Sequence, residues 1–255
     1  MDITSRRVVD DSVIERTFTI GPGEGPSSHP VDGIVWTPIT ASPTAPAPMI
    51  LLGHPGGLTA MRPRLEARAR QAARDGFAAA AIELPGAGDR PALPDVDRAR
   101  ADLRAALAAR VPVPAAVIDR LVLPLVERAV PEWQQTLDVL LALPEIAGPA
   151  GISGGVAAIG VRMAWTDPRV RAAGLFAGSY LPAVTFDEAR RVTIPVHMLL
   201  QWDDVGNDRA ASLALFDALG SGEKTLEANL GGHTGVPAHA GQSAAGFFAR
   251  HLRPE

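Results

Sequence analysis

From Met49 onward this chain is built of short apolar runs that alternate with segments of helical composition. Met49 to Leu52, closed by Gly53 (MILLG), is apolar at every position, as suits a strand covered on both faces. A helical stretch ending in glycine (RPRLEARARQAARDG) comes next, and then a second apolar run, FAAAAIELPG. The pairing recurs as GPAGISGG with VAAIGVRMAWTDP, as VHMLLQW with DRAASLALFDALG, and as KTLEANL before AGQSAAGFFARHL, with RVRAAGLFAG as a further strand. Strands alternating with helices imply βαβ crossovers, so the expectation is an α/β fold with a mostly parallel central sheet and helices on both faces.

Upstream of Met49 the pattern is different. Ser12 to Ile20 (SVIERTFTI) alternates polar and apolar residues, as a half-buried strand does, and Gly21-Pro22-Gly23 ends it. VDGIVWTP at 31–38 is a second strand, giving an antiparallel pair at the start, and the Pro- and Ala-rich ITASPTAPAP is a surface connection to the apolar run at Met49. With 255 residues and 47% hydrophobic content, the chain is expected to form a single domain over 1–255.

Between Glu83 and Gly148 the chain is far longer than the roughly dozen residues a crossover needs. DVDRARADLRAALAARV and PAAVIDRLVLPLVERAV have helical apolar spacing, and PEWQQTLDVLLAL, with proline at a helix-entry position, supplies the crossover helix. The surplus, 94–130, is expected to be a helical cap inserted within the domain; the plainer alternative is a pair of extra packing helices with no contact to substrate.

Composition removes several classes of function. A net charge of −4 with no basic block gives no reason to expect nucleic acid or an anionic membrane surface as partner. Cysteine is absent, so disulfides, thiolate metal sites and a cysteine nucleophile are excluded, and the six histidines form no HExxH or comparable pair. Neither a metal nor another cofactor is expected. The charged start MDITSRRVVDDSVIERTF lacks the apolar core of a signal peptide, and no apolar run approaches the roughly 18 residues of a membrane span; the expectation is a soluble, cytoplasmic protein. The sequence is silent on oligomeric state.

Gly151-Ile152-Ser153-Gly154-Gly155 matches G-x-S-x-G at a strand-to-helix junction, where a sharp turn needs small neighbours and can lift a hydroxyl above the sheet edge. The near match around Ser243 lies inside a helical pattern and lacks that context. A serine hydroxyl needs a base to take its proton and an acid to hold that base. His233, on the glycine loop NLGGHTGVP, is the candidate base, with His239 as a rival. Among the carboxylates of QWDDVGND, Asp204 is the candidate acid, Asp203 is suited to holding its loop by backbone hydrogen bonds, and Asp208 to capping a helix. Backbone N–H groups of Gly56, in HPGG, and of Gly154 are candidates for an oxyanion hole. His54 is suited to bracing that loop. Met61, Tyr180, Leu181 and Trp202 are candidate substrate-binding residues, each also compatible with an ordinary place in core or rim.

The blocks LLGHPGG, IELPGAGDRP, GISGG, DPRVRAAGLFAGS, QWDD and GGHTGVP, with the order Ser153, Asp204, His233, resemble the α/β-hydrolase family, most closely its dienelactone-hydrolase-like and small-ester-hydrolase branch. The resemblance covers nearly the whole chain. It departs from the pattern in having HPGG in place of the commoner HG pair and Gln201 before the acidic pair. It implies a serine hydrolase that cleaves small to medium carboxylic esters through a Ser153-His233-Asp204 triad and an acyl-enzyme, without a cofactor, on a small-molecule substrate. C–C bond hydrolysis, lactone cleavage and acyl transfer use the same triad, and a non-catalytic ligand-binding protein is the alternative from another class.

Overall fold

The structure, a computed structural model, describes residues 1–22, 29–177 and 180–253. Gly23 of the expected strand stop, and Gly178 and Ser179 at the end of one motif block, lie outside them. Among the described residues nine strands form one sheet in the order β1-β2-β3-β5-β4-β6-β7-β8-β9. They are β1 (Asp2–Val9), β2 (Val13–Ile20), β3 (Val31–Pro38), β4 (Ala47–Gly53), β5 (Ala78–Ile82), β6 (Ile146–Gly154), β7 (Val170–Ala177), β8 (Val196–Gln201) and β9 (Lys224–Asn229). The pairings β1–β2, β2–β3 and β3–β5 are antiparallel, and every pairing from β5–β4 to β8–β9 is parallel.

β1 has no counterpart in the sequence-based expectation. Its residues DITSRRVV are exposed apart from Val9, and it pairs on one side only. Charged and polar side chains are what an edge strand tolerates, and they hide the apolar alternation by which a strand is read.

Among the described residues seven helices cover the sheet: α1 (Leu58–Arg74), α2 (Pro94–Ala109), α3 (Ala115–Leu140), α4 (Ala157–Thr166), α5 (Ala183–Ala189), α6 (Arg209–Ala218) and α7 (Ala238–Leu252). Side chains alternate across each strand. Met49 and Leu51 of β4 therefore enter the core shared with α3 and α4, while Ile50 and Leu52 enter the core shared with α1 and α7. α1 begins where its free N–H group at Leu58 meets the buried Glu83 carboxylate after β5, at 3.1 and 3.2 Å from the two oxygens.

The boundary expected at residue 130 falls inside α3, which runs through both Pro124 and Pro131. An interior proline costs a helix about 3 kcal/mol. Here Val122, Val126, Val130, Trp133, Leu137 and Leu140 are buried along one face of the helix, and each such burial is worth about 1.5–3 kcal/mol. The packing outweighs the prolines. The same face holds α3 on the sheet, and α2, whose buried residues are Val96 and Ala99, packs against α3.

Candidate active site

The C-terminal ends of the parallel strands bring the chemistry-bearing residues together. His233 follows β9, and its Nδ1 lies 2.7 Å from Oδ2 of Asp204, which follows β8. The Asp204 side chain is 5% exposed and that of His233 is 54% exposed. Asp204 is further held by the side chain of Asn207 at 2.5 Å and by the Gly206 N–H at 3.0 Å. With the carboxylate accepting at Nδ1, the proton sits there and Nε2 is left with a lone pair to take another.

The neighbouring Asp203 does something else. Its carboxylate accepts from the N–H groups of Gly231, at 3.0 and 3.1 Å, and Gly232, at 2.9 Å, the two residues before His233. These bonds from Gly232 and Gly231 hold the Asp203 carboxyl below its usual range. Both glycines have positive φ, 128° and 64°. The Gln201 amide donates to the Gly232 carbonyl at 2.8 Å, so the loop that presents the imidazole is tied to β8 at several points. Asp208 caps α6, accepting from the Ala211 N–H at 3.0 Å, and His239 bonds the Asn229 side chain at 3.1 Å.

Ser153 is the penultimate residue of β6, in register with Leu52 of β4 and Gly174 of β7. The left-handed residues of the turn are Gly154, φ 68°, and Gly155, φ 82°, so the chain bends just after the serine. A side chain at Gly155 would meet the Gly53 Cα at 2.7 Å and the His54 N at 2.8 Å, so the β6 turn and the β4 loop lie backbone against backbone. His54 is buried and donates from Nε2 to the Ile82 carbonyl at 2.9 Å, bracing that loop; burial pushes its pKa down.

The Ser153 hydroxyl accepts from Nη2 of Arg68 in α1, at 3.1 Å. Ser153 and His233 both line a cavity of about 390 Å³, but no hydrogen bond joins them among the described residues. The cavity is walled by Leu65, Leu175, Phe176, Leu199, Val236 and Ala240. Phe176 meets the His233 ring edge-on, with centroids 5.5 Å apart.

Gly154 and Met61 line this cavity; Gly56, Tyr180, Leu181 and Trp202 are not among its lining residues. Leu181 packs against the core shared with α3 and α4, Tyr180 is half-buried, and Trp202 is 44% exposed with the Arg209 guanidinium stacked 4.4 Å above its ring. No residue of α2 or α3 lines the cavity either. Its walls come from α1, α7 and the strand ends.

Sequence reasoning passed over Arg68 and the buried His197, which also faces the cavity. Arg68 did leave a trace. It lies three residues after Leu65 and four before Ala72, on the apolar stripe by which α1 meets the sheet. His197 sits in an otherwise apolar strand and has no such mark. Among the described residues no group of three His, Asp or Glu side chains is placed to hold a metal ion, and no helix is long and apolar enough to cross a membrane.

No family model matches the chain, and no curated protein matches it. Solved structures do match. A cold-adapted esterase from an Arctic intertidal metagenomic library, bound to polyethylene glycol, is 26% identical with a TM-score of 0.75, covering 99% of this chain and 100% of that one. An acetyl xylan esterase from Paenibacillus sp. R4 is 15% identical with a TM-score of 0.66, over 99% of this chain and 90% of that one. A dienelactone hydrolase from Anabaena variabilis is 17% identical with a TM-score of 0.58, over 94% and 98%. With its sheet order, its helices on both faces and this full-length likeness, the chain has the α/β-hydrolase fold.

Proposed function

We propose that this α/β-hydrolase is a carboxylic ester hydrolase in which Ser153 is the nucleophile, His233 the general base and acid, and Asp204 the carboxylate that orients the imidazole. The observation that carries the proposal is the 2.7 Å bond between Asp204 and His233, formed at the rim of a cavity that also holds Ser153. The esterases of the same fold support it.

Ser153 Oγ attacks the acyl carbon while its proton passes to His233 Nε2, and the carbonyl electron pair moves to oxygen. On collapse, the bond to the leaving alkoxide breaks and that alkoxide takes the proton from His233. Water, deprotonated by His233, then attacks the acyl carbon, and on collapse the bond from Ser153 Oγ to that carbon breaks and Oγ takes the proton back from His233. The step requires the serine hydroxyl and Nε2 to come within hydrogen-bond reach, and such bonds are commonly long or absent before substrate binds. The Gly154 N–H at the cavity wall and the Gly56 N–H in the β4 loop are the proposed oxyanion donors. The apolar walls suit a small to medium acyl or aryl ester, taken from solution by a cytoplasmic enzyme.

The test is hydrolysis of p-nitrophenyl acetate, butyrate and octanoate by the parent, Ser153→Ala and His233→Ala. Turnover by the parent, lost in both variants, supports the assignment. An inactive parent, or an active Ser153→Ala, refutes it.

A further inference from the structure

Among the described residues, Arg68 is the one cation whose side chain bonds Ser153, next to the end of β6. Its guanidinium makes three hydrogen bonds: Nη1 to the Gly53 carbonyl at 2.9 Å, and Nη2 to the Ser153 carbonyl at 2.7 Å and to Ser153 Oγ at 3.1 Å. None of these acceptors is a carboxylate. No Asp or Glu lines the cavity, and among the described residues Arg68 takes part in no salt bridge. Burial, and then the charge of Arg64 one helical turn away, lower its pKa to about 10, so it remains charged at neutral pH.

A half-buried cation with no counter-charge is a costly arrangement, and a protein that only needed to tie β4 to β6 could do so with neutral donors. The charge is useful if negative charge appears beside it. Ester hydrolysis produces such charge on Ser153 Oγ twice, as the hydroxyl gives up its proton to attack and again when Oγ departs from the acyl-enzyme.

Resting on the ester-hydrolase assignment above, we infer that Arg68 is a further catalytic residue, whose Nη2–H donates to Ser153 Oγ and stabilises the charge that develops there in both acylation and deacylation. Arg68 keeps its proton throughout. The proton that leaves Ser153 travels to His233, and the one that returns to it in deacylation comes from His233. The bonds from Arg68 to the Gly53 and Ser153 carbonyls fix the guanidinium so that it need not reorganise as the charge forms.

The experiment compares the parent with Arg68→Met and Arg68→Lys, reading kcat/KM against pH on p-nitrophenyl butyrate, the rate of Ser153 labelling by a fluorophosphonate, and the melting temperature. For Arg68→Met the expectation is a loss of about 10- to 100-fold in both kcat/KM and labelling rate. The acid limb should move to higher pH, because removal of a cation from the cavity favours protonation of the groups that line it. Arg68→Lys should hold the limb near its parental position while losing rate, since the charge stays and the fork does not. If Arg68→Met does not fold, the limb position and labelling rate of Arg68→Lys decide. Parental rate and limb in Arg68→Met, or a limb in Arg68→Lys displaced as far as that expected for loss of the charge, overturn the inference. So does a loss confined to a carboxylate-bearing ester such as mono-p-nitrophenyl succinate, which would make Arg68 a binder of substrate anions. A parent that neither turns over nor is labelled at Ser153 overturns the ester-hydrolase assignment and the inference together, whereas normal labelling in Arg68→Met removes the inference alone.

Discussion

Asp204 and His233, 29 positions apart in the chain, meet at 2.7 Å because β8 and β9 are adjacent parallel strands whose following loops emerge on the same edge of the sheet. A carboxylate bound at Nδ1 selects the imidazole tautomer whose Nε2 can accept a proton. Asp204→Asn should therefore leave the fold intact and lower kcat/KM for p-nitrophenyl butyrate by about 10³- to 10⁴-fold. Circular dichroism beside the kinetics checks both halves of that expectation, and a loss below about 10-fold would assign the orienting role elsewhere.

Asp203 acts on the same loop through its backbone. Its carboxyl is held below the usual range by the Gly232 and Gly231 N–H groups, so its contribution is present above the unfolded pKa and is lost as pH falls through the lower folded value. The ¹⁵N-edited amide signals of Gly231 and Gly232 should move together on acidification, with a midpoint below the ordinary aspartate range. In Asp203→Asn that transition should be missing.

Glu15 of β2 ties the antiparallel end of the sheet to α1. Its side chain, 1% exposed, accepts from Arg7 at 2.7 Å, from the Trp36 indole at 2.8 Å and from Arg62. Burial alone would raise its pKa, but the bonds from Arg7 and Trp36 and the charge of Arg62 outweigh it and hold the carboxyl below its usual value. Its stabilisation is thus complete above the unfolded pKa and fades as pH falls through the folded one. Glu15→Gln should cost about 1–3 kcal/mol in urea unfolding at pH 7, with the gap to the parent narrowing as pH falls below about 4.

Two glycines separate steric demand from mere freedom. At Gly155, φ is 82° and a Cβ would overlap the Gly53 and His54 backbone, so Gly155→Ala should destabilise by about 2–4 kcal/mol and perturb the serine turn. At Gly246 in α7 nothing lies within 4 Å of a new Cβ, and Gly246→Ala should stabilise by about 0.5–1 kcal/mol. Urea midpoints of the two variants should fall on opposite sides of the parent.

The sequence by itself determined whatever depends on local pattern. The continuous apolar run of β4 requires cover on both faces, helical spacing supplies that cover, and the parallel strands that such alternation implies place the loops that follow them on one edge. The serine turn, the acidic pair and the glycine-flanked His233 were therefore legible in order along the chain. Only the tertiary structure decided features that rest on contacts between distant residues. Edge strand β1 exists because β2 offers it a partner, and α3 runs through Pro124 and Pro131 because the face it buries outweighs the lost backbone bonds. The cavity is walled by α1 and α7, and not by the long segment at 94–130, because the latter buries its apolar face on the opposite side of the sheet. Arg68 reaches Ser153 across 85 positions of chain, on a stripe that composition alone marks as core. Periodicity tells which face of a helix is buried; which residue that face meets is settled by the packing of the whole sheet.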